Sequence, residues 1–168
     1  VVLGNAVFVV GCDDSAEERY LMCLDRDTGK QRWKRVVIQS PLESKHRLNS
    51  HASSTPATDG KHVFVSFLKV DGRLVPAPNV GSPRDITPGT MVIACYDYDG
   101  KLQWRKNVGV FLSAHGYCSN PVLFKDLVIV NGDHDGDSYI VALRKSDGEV
   151  VWKSERKHKT RSYCTPLI

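Results

Sequence analysis

No run of about 18 apolar residues occurs anywhere in these 168 residues, which excludes a membrane-spanning helix. No segment sustains the 3.6-residue spacing of an amphipathic helix either, so the chain reads as all-β. Its five cysteines, Cys12, Cys23, Cys95, Cys118 and Cys164, form no Cys-x-x-Cys pair and no zinc spacing. A Ser/His/Asp order, a phosphate loop and a paired-carboxylate motif are also missing, which leaves no recognisable catalytic signature. The net charge is +4, yet the densest basic run, Lys153 to Arg161, has no interleaved aromatic ring for base stacking, and a nucleic-acid partner is not expected. That run is read instead as a patch that could meet an acidic partner.

What the chain does have is repetition. Asp25-Arg26-Asp27-Thr28-Gly29-Lys30-Gln31-Arg32-Trp33 returns as Asp97-Tyr98-Asp99-Gly100-Lys101-Leu102-Gln103-Trp104 and as Ser146-Asp147-Gly148-Glu149-Val150-Val151-Trp152. In each copy a tryptophan stands four residues after a glycine. A strand-like stretch precedes each one: Tyr20 to Leu24, Met91 to Tyr96, Tyr139 to Leu143. A second anchor, the Ser54-Thr55-Pro56 segment, matches Ser119-Asn120-Pro121, and Cys164-Thr165-Pro166 begins the template again. In the third unit four β-type runs are expected at about Ser119 to Phe124, Leu127 to Asn131, Ser138 to Arg144 and Glu149 to Lys153. Four-strand units at a period of about 40–50 residues point to the blades of a β-propeller. The boundaries expected are 1–52, 53–116 with an insertion at 70–89, 117–162, and the start of a fourth unit at 163–168. Because rings close with roughly four to eight blades, and residue 1 is not Met, the chain is expected to be a fragment of a larger propeller or one partner of an assembly.

The string Cys23-Leu24-Asp25 through Thr28-Gly29 to Trp33 resembles the Ala-Leu-Asp-x-x-Thr-Gly-x-x-x-Trp docking motif of the PQQ-like repeat family, the quinoprotein-type and BamB-like propellers. The second copy is one residue shorter between Asp97 and Gly100, and the third has Arg144 where the motif has Asp. The resemblance implies that Trp33, Trp104 and Trp152 pack across to neighbouring blades, with Asp25, Thr28, Gly29, Asp97, Gly100 and Gly148 shaping the turns. It also implies a periplasmic, secreted or cell-envelope location.

On this template the basic residues Lys30, Arg32, Lys34, Arg35, Lys101, Arg105 and Lys106 fall on the outermost strands, where charge guards an exposed edge against pairing. Cys23 and Cys95 occupy the slot held by Ala142, which calls for a small apolar residue between packed blades. Cys118 and Cys164, just before the innermost strands, are candidates for a disulfide or a ligand contact if their Cα atoms come within about 7 Å.

The long links, Ile38 to Ser53, Gly109 to Tyr117, Ser154 to Ser162, Val70 to Gly89 and Asp133 to Asp137, should open on one face. Binding residues concentrate on such loops. The proline-rich insertion 71–89 suits an ordered cover or a contact arm. Near the channel on that face the candidates are His51, His115, Tyr117, Asn120, His134 and Tyr163. Asp133, Asp135 and Asp137 alternate like oxygen ligands for a hard cation such as calcium, or like a solvated Asp-Gly turn. Two functions are therefore expected. One is a binding or scaffolding module for a protein or small-molecule partner. The other, implied by the resemblance, is part of a dehydrogenase dependent on pyrroloquinoline quinone and Ca2+.

Overall fold

The structure, a computed structural model, describes residues 1–166. Its strands form three four-stranded antiparallel sheets. The first holds β1 (Val2–Leu3), β2 (Ala6–Asp13), β3 (Glu18–Asp25) and β4 (Gln31–Gln39) in chain order. The second holds β5 (Ala57–Thr58), β6 (His62–Val70), β9 (Gly89–Asp97) and β10 (Leu102–Phe111). Between β6 and β9, the pair β7 (Val75–Pro76) and β8 (Asp85–Ile86) makes a small separate hairpin. The third holds β11 (Val122–Phe124), β12 (Leu127–Gly132), β13 (Tyr139–Arg144) and β14 (Val150–Glu155). No helix occurs among the described residues, so the all-β reading holds.

The middle sheet is buried on both faces, and the two-residue side-chain period assigns each face. Along β6, Val63, Val65 and Phe67 pack with Phe8, Leu21 and Val37 of the first sheet. The alternate residues Phe64, Leu68 and Val70 pack with Val128, Val141 and Leu143 of the third. This two-sided burial explains why β6 and β9 read as near-continuous apolar runs. Where the alternation would place another apolar side chain, Ser66 stands instead. Its hydroxyl donates to Ser119 O (2.5 Å) and lies 2.8 Å from Ser54 Oγ, which clasps the inner ends of two sheets.

The expected third-unit strand from Ser119 is shorter, beginning at Val122. Pro121 has no N–H for a ladder, and Asn120 spends its side chain across the axis. Asn120 Oδ1 accepts from Thr55 N (2.6 Å) while its Nδ2 donates to Thr165 Oγ1 (2.8 Å), so residues preceding three prolines are strung together. Asn120→Ala is expected to lower the unfolding free energy by about 1–2 kcal/mol, read from the shift in urea midpoint at constant slope.

Each tryptophan-bearing strand carries a β-bulge. Trp33 pairs opposite Cys23, Trp104 opposite Cys95 and Trp152 opposite Ala142, with a register shift beside each pair. A bulge re-aims the following side chain, here out of its own sheet and toward the next. Trp33 Nε1 donates to Tyr98 O (3.1 Å) and Trp104 Nε1 to Lys145 O (2.8 Å). The turns that receive these rings need glycine. A Cβ on Gly100 would lie 2.8 Å from the Trp33 ring, and one on Gly148 2.5 Å from the Trp104 ring. Trp152 is 39% exposed, against 7% for Trp104. Cys23 and Cys95 are buried, and all five cysteines are free thiols.

The three glycine turns are themselves built by their aspartates. Asp25 Oδ1 accepts from Thr28 N (2.9 Å) and Thr28 Oγ1 (2.8 Å), and its Oδ2 pairs with Arg32 (2.7 Å). Asp97 does the same work with Lys101 N (2.8 Å) and Gln103 Nε2 (3.0 Å). In the third turn, where Arg144 replaces the first aspartate, Asp147 takes over, accepting from Glu149 N (3.0 Å) and pairing with Arg144 (2.6 Å). The Arg32 hydrogen bond, followed by those from Thr28, holds the Asp25 carboxyl well below the usual carboxylate range. A depressed folded-state pKa contributes stability that is present above the unfolded value and lost as pH falls toward the folded one. The advantage of the native chain over Asp25→Asn is therefore expected to be full at neutral pH and to shrink below about pH 4, measured as paired urea midpoints across pH.

Candidate functional site

The links 40–56 and 112–121, which run from an outer strand to the next inner one, are stitched together at their tips. His46 N and Asn49 Nδ2 both donate to His115 O (3.2 and 2.8 Å). The crossing is close enough that a Cβ on Gly116 would lie 2.7 Å from Lys45 Cβ. As a result the His46 ring meets His115 edge-on at 5.6 Å between centroids, and Tyr163 stacks with His115 at 6.1 Å. These three rings, with Leu48, Asn49 and Cys118, line a hollow of about 350 Å³. Leu48 stands 84% exposed at its edge.

The hollow is lined by rings and one thiol, with no lysine or arginine among them. Burial, and then the charges of Arg161 and Arg84, push His115 below its ordinary imidazole value. His46 Nδ1 accepts from Leu48 N (3.3 Å), which leaves Nε2 as the donor in the neutral ring. Cys118 is pushed up to about 11, chiefly by burial, so its thiol stays protonated at neutral pH and is no nucleophile.

Of the residues expected on this face, only His115 and Tyr163 line the hollow. His51 is turned inward, its Nδ1 lying 3.3 Å from Glu43 Oε2, at ion-pair distance but off hydrogen-bond geometry. His46 takes the place beside His115 that was expected of His51. Tyr117 is a core residue packed edge-on against Phe111 at 5.0 Å, and Asn120 belongs to the axial bridge already described. His134 is buried between Phe111 and Tyr139.

Asp133, Asp135 and Asp137 are not brought together as a ligand set. Asp133 pairs with Arg156 (3.1 Å), Asp137 with Lys159 (2.7 Å), and the buried Asp135 takes two contacts from Arg161 at 2.7 and 2.8 Å. Asp135 also accepts from Ala114 N (3.1 Å). No group of three or more His, Cys, Asp or Glu side chains is placed to hold a metal ion among the described residues. Arg156, Lys159 and Arg161 of the basic run thus find acidic partners in the loop before β13.

Arg19 had no signal in the repeat pattern. It is fully buried at the start of β3 and donates to Ser40 O (2.8 Å), Ser40 Oγ (2.6 Å) and Leu68 O (3.3 Å), which ties the first sheet to the second.

A family model described as "Outer membrane protein assembly factor BamB" matches residues 80–167, just over half of the chain. No curated protein matches. Among solved structures, a europium-containing methanol dehydrogenase superposes with a TM-score of 0.57 at 15% identity, covering 94% of this chain and 24% of that one. A quinohemoprotein alcohol dehydrogenase from Pseudomonas putida HK5 does so with a TM-score of 0.56 at 16% identity, covering 92% of this chain and 20% of that one. The chain therefore spans about a fifth to a quarter of the length of these proteins, and at such identity the likeness concerns the fold. With its three four-stranded sheets and tryptophans docked on glycine turns, the chain belongs to the PQQ-like β-propeller repeat family.

Proposed function

We propose that this chain is a binding and scaffolding part of a PQQ-type propeller, engaging a partner's side chain or a small molecule at the ring-lined hollow. Its blades run 1–52, 53–116 and 117–162, with a fourth beginning at 163; Leu167 and Ile168 lie outside the described residues. The observation that carries the proposal is the set of packed rings His46, His115 and Tyr163 around a hollow edged by the exposed Leu48. Apolar and aromatic concavities with a few polar donors suit side-chain anchors and small ligands. The family's envelope-type relatives make the periplasm or cell surface the proposed location.

The alternative, a pyrroloquinoline quinone with Ca2+, fits these residues poorly. That quinone carries three carboxylates, and the hollow is lined by no lysine or arginine. Arg161, whose charge His115 feels, is committed to Asp135, and the acidic loop residues that could serve calcium are each paired with a base.

The test is a photo-crosslinking residue placed at Leu48 in the full-length protein in its own cell, with one at Leu102, 44% exposed at the start of β10, as control. A discrete adduct at Leu48 that disappears with His115→Ala, and none at Leu102, is the expected result. Equal adducts at both positions, or micromolar quinone binding with dye-coupled alcohol oxidation, would contradict it.

A further inference from the structure

A second concavity lies away from the axis, under the arm formed by residues 71–88. The arm is fixed at two points: Ser44 N donates to Thr87 Oγ1 (2.7 Å), and Asn79 Nδ2 donates to Lys159 O (2.9 Å). Its prolines Pro76 and Pro78 stand with Val110 and Leu112 over a cleft of about 680 Å³ between the second and third sheets. His134, Tyr139 and Lys153 line the same cleft.

Three donors there lack acceptors suited to them. His134 Nδ1 accepts from Gly136 N (2.8 Å), which leaves Nε2 to carry the proton, and Nε2 is buried without a partner; burial lowers the ring's pKa against the opposing pull of the Asp137 backbone and the neighbouring aspartates. Tyr139 Oη is likewise buried and unpartnered, and burial pushes its phenol up, so it stays a donor. Lys153 Nζ lies 3.7 Å above the Tyr139 ring and donates to Val108 O (3.1 Å), with no carboxylate at ion-pair distance among the described residues. Of the acids at the cleft, Asp135 is held by Arg161 and Asp137 by Lys159, leaving Glu155, which is exposed. A buried donor without an acceptor is destabilising, and a bound acceptor would relieve that cost.

We infer that this cleft is a binding site for a small aliphatic carboxylate, distinct from the hollow at the axis. The carboxylate oxygens accept from His134 Nε2–H and Tyr139 Oη–H, the ammonium of Lys153 balances the charge, and the alkyl part lies between the prolines and Val110 and Leu112. A cleft of this size is in the range of small-molecule sites.

The experiment titrates the full chain with sodium butyrate, with n-butylammonium chloride as the cationic control, and follows the ring resonances of His134. A saturable shift with butyrate alone is expected, with affinity weakened about tenfold or more in Lys153→Met, as loss of the one balancing charge implies. Lys101→Met, remote from the cleft, should leave the affinity unchanged. Lys153 is on an exposed strand, so its variant is expected to fold, and a thermal melt checks that. The site is refuted by no saturable shift, which would mean the orphaned donors hold buried water only. It is equally refuted by an equal response to butylammonium, or by unchanged affinity in Lys153→Met.

Discussion

Trp104→Ala is expected to lower the unfolding free energy by about 3–5 kcal/mol, the cost of removing a large buried aromatic side chain. The equivalent change at Trp152 is expected to cost about 1 kcal/mol or less in this chain. Both residues occupy the same place in the repeat, follow the same bulge and face a small residue on the neighbouring strand. They differ in what they meet. Trp104 is covered by Gly148 and hydrogen-bonded to Lys145 O, and it packs 6.0 Å from Phe64 within the core shared by the second and third sheets. Trp152 lies on β14, which is exposed along its length. Urea midpoints for the two variants measure the difference directly, and equal losses would mean that docking on the next sheet contributes nothing.

Gly148→Ala is expected to cost about 2–4 kcal/mol, combining the penalty of a left-handed alanine with overpacking against the indole. Gly148 has φ +71° and a would-be Cβ 2.5 Å from Trp104, whereas Gly29 has φ +69° with nothing within 4 Å of its Cβ position. Gly29→Ala therefore carries the backbone penalty alone, about 1–2 kcal/mol. Since the two backbones match, the difference between the variants isolates the clash. The pair Gly148→Ala and Trp104→Ala should also be strongly non-additive, because an alanine at 104 removes the atoms that an added methyl would strike.

Much of the fold was legible because it rests on spacing. Gly-x-x-x-Trp and Ser-x-Pro recur at fixed offsets, and the apolar runs of β6 and β9 mark strands buried on two faces. The bulges beside the tryptophans were not legible, since a bulge is a mismatch between two strands and no single strand records it. The site was legible only in part. His115 and Tyr163 were expected on the axial face, on the links that lead from an outer strand to the next inner one. His46 was missed because it sits in a link whose course is set by hydrogen bonds to His115 O, with no repeat position to mark it. His51, expected there by analogy of position, is drawn inward by Glu43, a buried acid with no counterpart in the other links. The acidic loop and the basic run were each visible, and their pairing with one another was not, because it depends on the link after β14 folding back over the loop before β13.

The docking of each indole on the next glycine turn is tested most directly by hydrogen exchange of the three indole N–H groups. Those of Trp33 and Trp104, bonded to Tyr98 O and Lys145 O, should be protected, and that of Trp152 should exchange at close to the solvent rate. Three indoles exchanging alike, or Trp104 exchanging as fast as Trp152, would contradict the docked arrangement.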